Sequence, residues 1–133
     1  MSEPNAVGHI HWHDYTMKDA ARVRDFYSKV VGWSSSDVAM SDSNGAYADY
    51  CMHAPGSDGN PGPVVAGVCH ARGVNAKIPP QWLMYITVAD VEASAKKCVE
   101  LGGKLIDGPR KMGNQTFCAI QDPGGAVCAL ISP

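Results

Sequence analysis

The sequence has no run of apolar residues near the ~20 that a membrane-spanning helix needs, and it has no cluster of basic residues. Its 133 residues include 11 Lys and Arg against 13 Asp and Glu, which gives a formal net charge of −2. Because the basic residues are scattered, we expect no nucleic-acid partner. The first residues, MSEPNAVGH, lack a basic region followed by an apolar stretch, so we expect no signal peptide and no membrane association.

Cysteine occurs five times, but no two cysteines form a CxxC pair. An odd number without that spacing argues against a disulfide framework and against a zinc knuckle. Such cysteines are typical of reduced, mostly buried thiols. We therefore expect a cytoplasmic protein.

An internal repeat organises the chain. Residues 11–33 and 82–104 follow the same plan, which is a strand, an Asp, an amphipathic helix and a glycine. At one fixed offset Thr16 matches Thr87 and Asp19 matches Asp90.

The repeat predicts a single domain, 1–133, built from two βαβββ modules. The modules span about 8–70 and 82–132, and residues 71–81 form a connector without periodicity. The expected fold is α+β, with a curved mixed sheet around a cleft and one helix on the outer face of each module.

Local patterns place the elements of each module. Asp19 is a good N-cap, and the apolar residues that follow at helical spacing predict the buried face of the first helix: Val23, Phe26, Tyr27 and Val30. Short β-forming runs predict strands near 37–41, 46–54, 64–71, 104–106, 115–121 and 126–132. The polar run Ser34–Ser36 is interpreted as a loop.

The stretch GHIHWHDYT, residues 8–16, carries a row of histidines at alternate positions. In a strand, alternate side chains share a face. His9, His11 and His13 therefore share one face, whereas Trp12 and Asp14 share the other. The histidine row has two interpretations. It is a metal site, or its histidines are structural side chains and the face with Trp12 and Asp14 is the functional one.

Together these motifs resemble the vicinal oxygen chelate superfamily, also called the glyoxalase/bleomycin resistance/dioxygenase superfamily. The resemblance spans nearly the whole chain and is closest to a glyoxalase-like subgroup with Trp in the first strand. The matching segments are 12–16, 26–27 with 31–33, 82–87, 90–91, 100–103 and 122–125. It implies a fold of two βαβββ modules and a small organic ligand, and members of the superfamily are often homodimers.

The resemblance also implies where a metal would bind. Metal-dependent members hold a divalent ion on His, Gln and Glu side chains, but the corresponding positions here are Trp12, Leu83 and Ala129, and the fourth falls near 64–70. Only three glutamates exist, none in a predicted strand. We expect no cofactor at the usual site.

The alternative is a divalent metal ion on His11 and His13, with His53 or His70 as a third ligand. The superfamily register argues against this alternative, because it turns His11, His13 and Tyr15 toward the covering helix.

Side chains on the Trp/Asp face suit a small, possibly aromatic, ligand, because aromatic rings bury flat apolar surface and a few polar groups fix orientation. The predicted ligand-binding residues are Trp12, Asp14, Thr16, Tyr50, Tyr85 and Thr87, with Tyr50 favoured over Tyr47 as the inward-facing ring. Asp14 is the candidate general base. Nucleophilic catalysis has little support, because GxSxG is missing and Ser34–Ser36 are assigned to a loop.

Three functions compete at this point. The first is a metal-free binding module for a small molecule. The second is a lyase, isomerase or dioxygenase of the superfamily that uses a relocated metal or Asp14 as base. The third is a domain without activity that acts through protein contacts.

Overall fold

Two βαβββ modules are present in the computed structural model of the chain, which describes residues 6–133. The elements of the first are β1 (Ile10–Met17), α1 (Ala20–Val31), β2 (Ser34–Asp42), β3 (Gly45–Pro55) and β4 (Pro61–His70). Those of the second are β5 (Trp82–Thr87), α2 (Val91–Glu100), β6 (Lys104–Met112), β7 (Gln115–Gln121) and β8 (Val127–Ser132). The predicted α+β class and the repeated βαβββ order are confirmed.

Both helices begin at the predicted aspartates. Asp19 accepts a hydrogen bond from the backbone N–H of Arg22 at 3.3 Å, and Asp90 accepts from the N–H of Glu92 at 3.0 Å. These bonds satisfy amide groups that have no partner within the helix. α1 ends at Gly32, whose φ of 78° is the left-handed conformation that glycine adopts without strain.

Residues 13–82 form one unit, in which the strand order is β2-β3-β4-β1. β1 and β4 are parallel, with Asp14 opposite Gly67 and Tyr15 opposite Val68. The core lies between this sheet and α1, where Met17, Ala20, Tyr50, Met52, Ala66 and Val68 are buried and Tyr15, Val23, Tyr27, Trp33 and Trp82 pack against them. Tyr15 thus lies on the helix side, as predicted.

The apolar face of α1 is narrower than its sequence pattern indicates. Val23 and Tyr27 pack on the core, but Phe26 is 56% exposed and Val30 is 61% exposed. The prediction that all four are buried is therefore wrong for Phe26 and Val30. Residues four apart share a face of a helix, so these two form an apolar surface of their own.

The second unit comprises the described residues through Trp12 together with Leu83–Pro133. Its strand order is β5-β8-β7-β6, and β5 is parallel to β8 with Tyr85 opposite Ala129. Val91, Ala95, Cys118 and Leu130 form its core beneath α2. The residues at and before the start of β1 belong to this unit because Gly8 donates to the carbonyl of Thr87 at 2.7 Å and Thr87 donates to that of His9 at 2.9 Å.

β2 and β6 extend into segments that were not predicted to be strand. Ser34–Ser36 are not a loop but the first residues of β2, where Ser36 lies opposite Cys51. β6 continues beyond residue 106 to Met112, and its pairing with β7 resumes at Arg110 after a register shift. Polar side chains in the first strand and Asp-Gly-Pro in the second resemble turn sequences. β3 nevertheless pairs with β2 without interruption, and β7 pairs with β6 on both sides of the register shifts.

Neither helix described within residues 6–133 has the length or the apolar stretch that crossing a bilayer requires.

Candidate functional site

The sheet of residues 13–82 has one face under α1 and one face that points away from it. Alternation along the strands places Asp14, Ser36, Cys51, His53, Gly67 and Cys69 on the second face, which we call the open face. The register is consistent throughout, because Asp14 lies opposite Gly67, Gly67 opposite Cys51, and Cys51 opposite Ser36. Apart from Gly67, these side chains are half-buried or exposed.

A carboxylate and a thiol lie in contact on the open face. The Sγ of Cys69 donates to the Oδ2 of Asp14 at 3.5 Å. Burial raises the pKa of the Cys69 thiol well above its ordinary value, and the nearby carboxylates of Asp14 and Asp49 raise it further. Cys69 therefore stays protonated and acts as a hydrogen-bond donor rather than as a nucleophile.

Asp49 is a structural member of this region. It is 4% exposed, and its Oδ1 accepts from the backbone N–H of His70 at 2.8 Å and lies 3.3 Å from the ring Nδ1 of the same residue. This buried carboxylate fixes the end of β4 beside β3.

The predicted ligand-binding residues differ in how much surface they present. Trp12 and Asp14 are half-buried, but Thr16 is 2% exposed and Thr87 is 6% exposed. Trp12 and Asp14 therefore present more surface to solvent than Thr16 and Thr87 do.

The expectation that Tyr50 shares a face with Asp14 is wrong. Tyr50 lies opposite Val68, on the α1 side of the sheet, and the guanidinium of Arg24 lies 4.5 Å from its ring centroid. Tyr47 lies on the other face of β3, and its ring is covered by Arg72 at 3.9 Å. The alternation of the strand was correct, but the sequence did not indicate which ring faced the helix.

In the second unit, the face of the sheet turned away from α2 is apolar and buried. Tyr85 and Phe117 lie there with ring centroids 5.8 Å apart, and the side chains around them have exposures of 5% or less: Leu83, Tyr85, Phe117, Ala129 and Ile131. Arg110 lies 4.7 Å above the ring of Phe117 and pairs with Asp107 at 3.0 Å. Tyr85 is thus part of a packed apolar layer.

Several histidines have separate partners in the structure. His11 Nδ1 lies 3.0 Å from the Oγ1 of Thr87, His53 contacts Ser36 and Gly62, and His70 contacts Asp49; His13 is exposed. Over residues 6–133, no three side chains of His, Cys, Asp or Glu come together in a way that could hold a metal ion.

The parallel registers identify the fourth position of the superfamily's metal site. Asp14 and Tyr85 are equivalent in the repeat, and they lie opposite Gly67 and Ala129 respectively. Gly67 therefore takes in the first module the place that Ala129 takes in the second. Trp12 and Leu83 occupy the other two positions. The four side chains are thus an indole at Trp12, an isobutyl group at Leu83 and a methyl group at Ala129, and Gly67 has no side chain. None of these is a metal ligand, so the residues present do not fit the ion.

A contact between Ser36 and His53 was not predicted from the sequence. The Oγ of Ser36 lies 2.8 Å from the Nε2 of His53. The available signal was the turn sequence Ser-Asn-Gly at 43–45, which predicts a two-residue hairpin. A hairpin there extends β2 backward alongside β3. Ser34 then lies opposite His53 and Ser36 opposite Cys51, which makes Ser36 a diagonal neighbour of His53 on the same face.

Comparison with known proteins agrees with the fold and the repeat. Residues 7–130 match the family model described as Glyoxalase/Bleomycin resistance protein/Dioxygenase superfamily. The chain belongs to this superfamily.

Relatives known by sequence are longer than this chain. It is 28% identical over 125 residues to a protein named putative glyoxylase CFP32 of Mycobacterium bovis, a match that covers 92% of this chain and 45% of the relative. It is 25% identical over 128 residues to the anthracycline biosynthesis protein DnrV of Streptomyces peucetius, covering 96% of this chain and 42% of that one. The chain thus spans less than half the length of these relatives.

Solved structures share the fold at low identity. A Streptomyces coelicolor methylmalonyl-CoA epimerase in complex with 2-nitronate-propionyl-CoA has a TM-score of 0.53 at 16% identity, covering 96% of this chain and 98% of that one. A superfamily member from Vibrio splendidus has a TM-score of 0.50 at 12% identity, covering 92% and 97%. Identities this low establish similarity of fold alone.

The contact between Asp14 and Cys69 makes a prediction about thiol reactivity. Asp14→Asn removes one of the negative charges that disfavour the thiolate, so the pKa of Cys69 falls and its alkylation by iodoacetamide becomes several-fold faster at fixed pH. Peptide mass spectrometry measures that rate. Asp58→Asn, in the exposed 3-10 turn Ser57–Gly59, is the matched control and leaves the rate unchanged. Equal rates of Cys69 alkylation in wild type and in Asp14→Asn would show that the Asp14 carboxylate does not raise the pKa of the thiol.

Proposed function

We propose that the protein binds a small organic molecule and does so without a divalent ion at the superfamily's usual metal positions. The observation that carries the proposal is the chemistry of the four positions. Trp12, Gly67, Leu83 and Ala129 supply no oxygen, nitrogen or sulfur donor from a side chain suited to a metal ion. Recognition then depends on shape, aromatic contact and hydrogen bonds.

The ligand that we propose is a planar aromatic compound. Support comes from Trp12, which is half-buried and two residues from Asp14 on β1. An indole offers a flat apolar surface, and a neighbouring carboxylate accepts hydrogen bonds from phenolic or amino groups. The relationship to a protein named for anthracycline biosynthesis favours polycyclic aromatic compounds as the first class to test.

A second candidate function is an enzyme that uses Asp14 as a general base. The specific support is that Asp14 is half-buried on the open face, beside a thiol that stays protonated. A carboxylate held in this way can remove a proton from a bound substrate. Loss of turnover in Asp14→Asn, with ligand affinity retained, would favour this second function over simple binding.

Titration of the protein with an anthracycline, followed by tryptophan fluorescence, tests the proposal. We expect saturable quenching and an affinity that EDTA does not change. Trp12→Phe should weaken binding about tenfold, because replacing an indole with a smaller ring costs on the order of 1 kcal/mol of stacking.

Trp33→Phe serves as the control, since Trp33 stacks on Tyr27 at 5.6 Å in the core under α1. This variant should bind as wild type does, with a lower total fluorescence. The proposal would be overturned if neither the anthracycline nor any smaller planar aromatic compound bound, or if EDTA abolished the binding.

We further propose that the protein forms a homodimer in the cytoplasm. All five cysteines are free thiols, as a reducing compartment requires, and burial raises the pKa of Cys118 to about 12. The relatives are more than twice as long as this chain, so each has room for two further βαβββ modules. In a homodimer the second copy of this chain would provide the equivalent of those two modules. The exposed Phe26 and Val30 on α1 are suited to such a contact.

Light scattering tests the dimer. The wild type should have about twice the chain mass of 14.1 kDa, and Phe26→Glu should reduce it to the mass of one chain, because a charge cannot be buried in an apolar contact without a partner. Val74→Glu, at a valine that is 71% exposed in the 3-10 turn Gly73–Asn75, should remain dimeric. A wild type with the mass of one chain at high concentration would contradict this proposal.

A further inference from the structure

The contact between Ser36 and His53 has the arrangement of a nucleophile and its base. The Oγ of Ser36 lies 2.8 Å from Nε2 of the imidazole. The other ring nitrogen, Nδ1, lies 3.0 Å from the carbonyl oxygen of Gly62. An activated serine requires this combination, in which a hydroxyl contacts a base and a third group orients the base.

The backbone carbonyl determines the tautomer of His53. A carbonyl oxygen only accepts hydrogen bonds, so Nδ1 carries the hydrogen and donates it to Gly62. In the neutral ring Nε2 is then the acceptor, and the hydroxyl of Ser36 must donate to it. The proton of Ser36 is thus directed at the nitrogen that can remove it.

The hairpin between β3 and β4 holds the Gly62 carbonyl in place. Gly56 donates to the carbonyl of Asn60 at 2.8 Å, which closes the loop tightly. A Cβ at Gly62 would lie 2.6 Å from the carbonyl oxygen of Ala54, and a Cβ at Gly56 would lie 2.6 Å from that of Asn60. The two glycines allow this close backbone approach, and the orienting group is therefore part of a packed turn.

Substrate can reach the serine. Ser36 is exposed on β2, which ends the strand order of its unit. An edge strand presents alternate backbone N–H groups outward, and N–H groups of this kind stabilise the oxyanion of acyl transfer. Val38 is 40% exposed two residues along the same strand, and Val64, opposite His53, is 42% exposed. The surroundings favour an uncharged, apolar acyl group.

We propose that Ser36 and His53 form a second functional site, a catalytic dyad that transfers acyl groups from small activated esters or thioesters. The Ser36 oxygen bonds to the acyl carbon while its proton moves to Nε2 of His53. The ester C–O or thioester C–S bond breaks, and the leaving alcohol or thiol takes that proton. Water then attacks the acyl carbon, His53 accepts a proton from it, and Ser36 recovers its hydrogen as the carboxylic acid leaves. This site uses neither Asp14 nor Trp12, so it stands independently of the proposed ligand.

Labelling with a fluorophosphonate probe tests the dyad directly. The wild type should acquire one label, located on Ser36 by peptide mass spectrometry, and should release p-nitrophenol from p-nitrophenyl butyrate. Ser36→Ala should abolish both, and His53→Gln should slow labelling of Ser36 by about 100-fold or more, the typical contribution of a general base.

Ser35→Ala is the matched control, because Ser35 lies opposite Met52 and projects from the other face of β2. It should label as wild type does. Circular dichroism checks the fold of each variant, and His53→Asn replaces His53→Gln if the latter is unfolded. No label on Ser36, or a label that forms equally fast without His53, would overturn the proposal.

Discussion

The parallel pairing of β1 with β4 is the constraint on which the rest of the first unit depends. It places Tyr15 opposite Val68 and Asp14 opposite Gly67. Since a shift by one residue would exchange the two faces of the strand, this register decides that Tyr15 and Met17 pack beneath α1. It equally decides that Asp14 lies on the open face, in contact with Cys69. The equivalent pairing of β5 with β8 places Tyr85 opposite Ala129 and fills the matching face with apolar side chains.

Much of the fold was predictable from the sequence because its signals are local. Asp19 and Asp90 cap the helices through bonds to amides two or three residues away, and the repeat fixes the order of the elements. Features that depend on partners distant in sequence were not predictable. Ser34–Ser36 form a strand because β3 lies beside them, and Phe26 is exposed because the core under α1 ends at Val23 and Tyr27. For the same reason the sequence indicated that Tyr47 and Tyr50 face opposite ways without indicating which faces the helix.

The candidate site was only partly predictable. Alternation along β1 correctly grouped Asp14 with Thr16, but it carried no information on Cys69 or Ser36, which come from other strands. The chemistry of the open face therefore differs from what the metal-binding members of the superfamily would need. It offers a partnered carboxylate, a thiol kept protonated by burial and by neighbouring negative charge, and a serine in contact with an oriented imidazole. Each of these groups can take part in a hydrogen bond.

We propose that the protein functions without a resident ion at the superfamily's metal positions, and its metal content decides between this proposal and the metal-bound alternative. The protein is purified without a histidine tag, dialysed against buffer free of chelator, and analysed for iron, zinc, manganese, nickel and cobalt by plasma mass spectrometry. We expect far less than one equivalent of any of these metals per chain. One full equivalent of a single metal that survives dialysis would contradict it.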